Sequence, residues 1–247
     1  MGESSGRARR APGAAFATTR WTLVTTAAGT DTLAARKALA ELCRTYWYPL
    51  YAFVRRGGHS AGDAEDLTQA FFARLLEKND VARADRARGR FRTFLLAAMK
   101  HFLANEYDRA HAAKRGGGHK IVFFDEQTAE TRYARTGGGE MTPEALFDRA
   151  WAASLLRNVM AELRDEYVGR GRGELFDRLR GLLADEPAGA SSAQLAAELG
   201  LTGTALRVAV HRMRGRYRRK LRQAIADTVA GPEEVDDEIR RLFEAFD

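Results

Sequence analysis

Apolar residues recur at steps of three and four through nearly every patterned segment of this 247-residue chain. That spacing gathers them on one side of a helix but scatters them over both faces of a strand. An all-α fold follows, with β-like runs confined to IVFFD at Ile121 to Asp125 and LVTT near the start.

The clearest segment is Ser191 to Arg222, SSAQLAAELGLTGTALRVAVHRMRGRYRRKLR. It fits a short helix, a glycine turn and a second helix. Ala196 supplies the small residue at the helix crossing, Gly200 tolerates positive φ in the turn, and Leu206 is an apolar plug beneath the second helix. Thr202 is the predicted N-cap. Leu206, Val210, Met213, Tyr217 and Leu221 form one stripe, which turns Arg207, His211, Arg214 and Arg218 outward. No acidic residue interrupts the run from Thr204 to Arg222. Such concentrated positive charge suits phosphate neutralisation, and the formal net charge of +7 points the same way.

Earlier in the chain, a helix is predicted from about Thr32 to Arg55, with Leu39, Leu42, Cys43, Tyr46, Leu50 and Val54 on its stripe and Pro49 predicting a kink or break. A second runs from a Ser60 or Asp63 cap to Asn79, with Leu67, Phe71 and Leu75 inward. A third begins near Phe91 and continues toward Gly116. Glycine runs flank residues 116–142, which read as an interdomain linker. From Pro143, one helix through Trp151, Leu155, Val159 and Leu163 and another through Leu175, Leu179 and Leu182 support the basic pair. Residues 1–18 read as a mobile basic arm without the apolar core of a secretory signal, and no stretch has membrane-spanning length. A cytoplasmic protein with no membrane partner is expected. The single Cys43 rules out an internal disulfide and reads as a buried small hydrophobe. Residues 231–247 form an acidic amphipathic helix with Val235, Ile239, Leu242, Phe243 and Phe246 on one face. It buries that face either by simple docking onto the C-terminal domain or, its charge being opposite to that of the adjoining basic helix, by folding back there and weakening DNA binding.

Two further patterns bear on function. DAEDLTQAFFARLLEK, Asp63 to Lys78, exposes Asp63, Asp66 and Gln69, a face suited to a cationic protein partner or to ordinary helix solubilisation. The next segment combines Arg86, Arg88, Arg90, Arg92, Lys100 and Arg109 with Phe91, Phe94, Phe102 and Tyr107. Cations interleaved with aromatics suit unstacked nucleic acid, where stacking contributes about 1 to 3 kcal/mol per base. Phe91, Phe94, Leu95, Phe102 and Leu103 also fit a buried stripe. The five histidines are scattered, and no nucleophile has a matched base, so neither catalysis, a cofactor nor a metal is expected.

Taken in order, DAEDLTQAFFARLLEK, FRTFLLAAMKHFLANEYDRA and VAVHRMRGRYRRKLR resemble a sigma-70 family RNA polymerase sigma factor of the extracytoplasmic-function group. The likeness covers about Leu39 to Arg115 and Trp151 to Ile225. It implies two small helical domains, a sigma-2-like three-helix unit within 19–115 and a sigma-4-like helix-turn-helix within 143–230, joined by the Gly-rich linker. It implies that Asp63, Asp66 and Gln69 bind the β′ clamp helices of core RNA polymerase, while the second domain meets the β flap. Arg86, Arg88, Arg90, Phe91, Arg92, Lys100 and Arg109 would contact and melt the −10 element of promoter DNA. The helix from Thr204 would read the −35 element, with Arg207, His211 and Arg212 at base edges and Arg214, Arg216, Arg218 and Arg219 on phosphates. An anti-sigma factor is a further implied partner. The chain departs from the pattern in its longer linker and in Gly203, where the family has an acidic residue. A stand-alone helix-turn-helix regulator and a helical adaptor protein are the rival classes, and neither accounts for the order of the three segments.

Overall fold

The computed structural model describes residues 33–77, 90–112, 126–136, 141–183, 190–226, 228–229 and 231–247. Among these the chain is helical, without a strand. The helices are α1 (Leu33–Arg56), α2 (Ala61–Glu77), α3 (Phe91–Ala112), α4 (Glu126–Arg135), α5 (Pro143–Val168), α6 (Gly173–Leu179), α7 (Ala190–Glu198), α8 (Gly203–Ala226) and α9 (Val235–Glu244). The basic arm, IVFFD, LVTT, Arg86 and Arg88, and the Cys43 side chain lie outside the described residues.

Local chemistry sets the helix starts. Ser60 caps α2 by accepting from the Asp63 amide at 3.1 Å. Thr142 caps α5 in the same way, accepting from the Ala145 amide at 3.2 Å, and Pro143 follows at the first helical position, where its missing N–H would have no intrahelical partner.

Two clusters of buried side chains form. The first joins Tyr46, Leu50 and Val54 of α1 with Phe71 and Leu75 of α2, Phe91, Leu95 and Met99 of α3, and Phe147, Trp151 and Leu155 of α5. Ile225 from the end of α8 and Val235 and Leu242 of α9 complete it. The second joins Leu163 and Tyr167 of α5 with Phe176 and Leu179 of α6, Ala196 of α7, and Leu206, Val210 and Met213 of α8. Thus α5 and α8 each place one part in either core. With 26 residues, α5 spans about 39 Å, long enough to serve both.

The packing bears on three sequence expectations. The helix α1 runs unbroken through Pro49, because the turns on either side, Tyr46 to Val54, are buried in the first core and hold the backbone despite the lost hydrogen bond. The segment expected as linker contains α4, which is tied to α1: Arg55 donates to Glu130 at 2.7 and 3.1 Å, and Tyr51 donates to the same carboxylate. Across the boundary expected before Pro143, the two sides are in contact. The first half of α5 lies along α1, and Asn158 donates to Thr45 Oγ1 at 3.1 Å.

Candidate nucleic-acid interface

The turn between α7 and α8 is built as its residues require. Gly200 sits at φ +63°, the left-handed region that glycine enters without strain, and the Leu201 amide donates back to Ala196 at 2.8 Å. Thr202 Oγ1 accepts from the Ala205 amide at 3.1 Å and starts α8. With Leu206, Val210 and Met213 buried beneath, Thr204, Arg207, Val208, His211, Arg212, Arg218 and Arg219 are exposed on the opposite side. Among the described residues, no carboxylate lies within ion-pair distance of Arg207, Arg212, Arg218 or Arg219. The cationic face is therefore open.

Two residues assigned to phosphate turn inward instead. Arg214 donates through Nε and Nη2 to the carbonyl of Leu182 at 3.2 and 2.9 Å. Arg216 lies 3.6 Å from Glu166, with its guanidinium over the Tyr167 ring at 5.5 Å. Both belong to the seam between α8 and its supporting helices, where the Leu182 carbonyl and the Glu166 carboxylate accept them.

At the start of α3 the cations are covered. Phe91 is 1% exposed, edge-on to Tyr46 at 5.4 Å, so it is a core residue rather than a surface for bases. Arg90 pairs with Glu238 at 2.7 Å and with Asp237 at 3.2 Å. Arg92 pairs with Glu238 at 2.8 Å and with Asp148, and its guanidinium stacks over Trp151 at 4.6 Å. Burial works against the charge of Arg92, but its hydrogen bond to Glu238 and the nearby Asp148 hold its pKa above the ordinary value. Neither guanidinium faces solvent freely in this arrangement. Lys100 reaches Glu144 at 2.7 Å on the surface, and Arg109 pairs with Glu106 within its own helix.

The partners Asp237 and Glu238 escaped the sequence reading. Glu238 is fully buried, three residues from Val235 and four from Leu242, on the inner side of α9. Phe243, expected on that side, is 53% exposed. The helix also fails to cover the basic face of α8, touching Arg222 near its end through Asp236. The helix docks instead on α3, α5 and the C-terminal end of α8, closer to the simple docking expected than to a fold-back over the recognition surface.

On α2, Asp63 completes a capping arrangement, accepting from Ser60 Oγ at 2.7 Å, and Gln69 donates to Glu65 at 2.8 Å. Asp66 is exposed between them.

The described helices thus present one open cationic face, on α8, and exposed carboxylates on α2. Residues 42–112, covering most of α1 with α2 and α3, match the family model for Sigma-70 region 2. No curated protein and no solved structure gives a significant match. The match supports a sigma-70 family sigma factor and, with it, a part in transcription initiation through RNA polymerase and promoter DNA. No described helix is long and apolar enough to cross a membrane.

Proposed function

We propose that this chain is a sigma factor of the extracytoplasmic-function type that directs core RNA polymerase to promoters. The observation that carries the reading is the Sigma-70 region 2 match over residues 42–112, followed in the same chain by the open cationic face of α8. Asp66, flanked by Asp63 and Gln69, docks on the β′ clamp helices, where an exposed carboxylate gains a cationic partner. The α7–α8 pair, resting on the β flap, lays α8 in the major groove at −35. Arg207, His211 and Arg212 face base edges there, and Arg218 and Arg219 hold phosphates. The −10 strand is gripped by Arg86, Arg88, Lys100 and Arg109. Phe91 leaves this set because its ring is buried, and Arg90 and Arg92 face the DNA in no state that keeps α9 docked. Opening a base step costs a few kcal/mol, which captured bases and a cationic channel for the strand offset without any chemistry by the protein.

Run-off transcription with purified core polymerase and a pool of genomic promoters tests the reading. The wild-type chain is expected to support initiation from a subset of promoters. Asp66→Arg is expected to lose polymerase association by at least tenfold while melting at the wild-type temperature, because Asp66 is exposed. A chain that initiates nowhere in the pool, or whose polymerase binding ignores Asp66→Arg, overturns it. Tight duplex binding as a free dimer without polymerase would mark a stand-alone regulator.

A further inference from the structure

Gly215 stands in the middle of α8, and nothing among the described residues explains it. Its backbone is helical and not among the positive-φ glycines, so any residue could adopt it. Among the described residues, a Cβ at this position would meet one neighbour, Arg219 Nη1, at an ordinary 3.7 Å. Compare Gly200, held at φ +63°, and Gly173, where a Cβ would press on Val168 Cγ2 at 3.0 Å. Those two glycines answer needs of the fold. At Gly215 an alanine would fit, and glycine in a helix interior lowers the folding equilibrium roughly two- to fivefold relative to alanine.

What surrounds Gly215 supplies the missing reason. On a helix surface the neighbours of a residue lie three and four positions away on either side, about 5 to 6 Å apart. For Gly215 these are His211, Arg212, Arg218 and Arg219, all exposed. The result is a notch in the helix surface, bare of side chain at its floor and ringed by three guanidinium groups and an imidazole. Backbone N–H groups in mid-helix already serve the helix, so an occupant must be held by the rim. Planar guanidinium forks match the oxygens of a phosphate, and three of them at neighbouring helix positions favour an anion of that shape.

We infer that Gly215 is the floor of a seat for one phosphodiester group of duplex DNA, gripped by Arg218 and Arg219 and bordered on the other side by Arg212, which moves from the base-edge set to this phosphate. The seat rests on the reading of α8 as a duplex-binding helix and adds to it a fixed point of register. A side chain on Gly215 would lift the phosphate away from the helix and from the rim.

The test uses the full chain and a duplex that the wild type retains from a random-sequence pool. Gly215→Ala is expected to melt about 1 to 4 °C higher than wild type, as an alanine in an open helix position should. It is also expected to bind the duplex three- to tenfold more weakly, with a salt dependence of log K shallower by about 0.9, the share of one phosphate. Arg212→Gln is expected to weaken binding less in the Gly215→Ala background than alone, which keeps the test valid should the single glycine variant unfold. Unchanged affinity and slope in Gly215→Ala, or fully additive losses in the pair, would overturn the seat. Millimolar inorganic phosphate is expected to compete no better than chloride of equal ionic strength, and stronger competition would assign the notch to a free phosphate instead. A wild-type chain that retains no duplex sinks the reading of α8 itself, a result distinct from failure of the glycine variant.

Discussion

The arginines that open α3 and those along the outer face of α8 come from comparably basic stretches of sequence, yet they end in opposite states. Arg90 and Arg92 are closed under α9 and paired to Glu238, 148 and 146 residues further along the chain. Arg207, Arg212, Arg218 and Arg219 stand open, with no carboxylate of the described chain brought to them. The difference does not lie in the arginines. It lies in where a distant acidic helix finds an apolar surface to dock on. The helix α9 buries Val235 and Leu242 in the first core, each burial contributing roughly 1.5 to 3 kcal/mol, and so delivers Glu238 to whatever cations border that site. Basic sequence is therefore no measure of a free basic surface.

The sharpest way to break this contrast is Glu238→Gln. Its carboxylate is fully buried between two guanidinium groups, so neutralising it leaves buried positive charge with reduced compensation from Asp148 and Asp237. A loss of about 3 to 5 kcal/mol in unfolding free energy is expected from denaturant titration. Duplex binding through α8 should stay within about twofold of wild type, because α9 reaches that helix near its end, at Arg222. A loss below about 1 kcal/mol would mean that apolar docking alone seats α9. A marked gain in duplex affinity would restore the idea that the tail screens the recognition face.

A second pair sharpens the contrast within one helix. Arg214 and Arg212 are two residues apart on α8, and their neutral variants should fail in opposite ways. Arg214→Ala removes the donors to the Leu182 carbonyl and is expected to destabilise by about 1 to 3 kcal/mol, with a duplex salt slope like wild type. Arg212→Ala is expected to leave the melting temperature within about 1 °C of wild type and to weaken duplex binding by about 1 to 3 kcal/mol, or roughly 5- to 150-fold. Thermal unfolding and anisotropy titrations on the same two proteins decide it. Equal binding losses would place Arg214 on the DNA after all.

Much of this was readable in the sequence because it is local. The stripe Leu206, Val210, Met213, the cap at Thr202 and the left-handed Gly200 each depend on a few neighbouring residues, and each stands as the spacing predicts. The same holds for the Ser60 cap of α2 and for Trp151, Leu155, Val159 and Leu163 on α5. What spacing could not reveal is which surfaces meet. Glu238 occupies an inner position of α9 that a hydrophobic pattern reserves for apolar residues, and it is tolerable because two arginines wait there. Ala129 and Tyr133, four apart in the supposed linker, were a weak helical signal, and docking on α1 made α4 definite. For the candidate interface, residue types are legible, but their accessibility is not: the pattern leaves Phe91 between core and surface, and it turns Arg92, Arg214 and Arg216 outward where the fold covers them. Asp66 and the outer face of α8 needed no distant partner, and there the sequence reading and the geometry coincide.

The smallest effect concerns α4, where a separate segment again brings a carboxylate to a cation, now near the surface. The hydrogen bond from Arg55, helped by that from Tyr51, holds Glu130 below its ordinary pKa of 4.5 despite some desolvation. A folded-state pKa lowered in this way stabilises the fold above the unfolded value, and the contribution disappears as pH falls through the lower folded value. The carboxylate is 39% exposed and the guanidinium 22%, so solvent screening limits the gain to about 1 kcal/mol or less. Wild type should therefore exceed Glu130→Gln in stability near neutral pH, and the gap should close on acidification below about 4.5, as protonated Glu130 becomes nearly equivalent to glutamine. Parallel urea titrations of the two proteins across that range measure the gap directly. A gap that persists unchanged in acid would show that glutamine fails for reasons of shape, and that α4 is held to α1 by packing at Ala129 and Tyr133 rather than by charge.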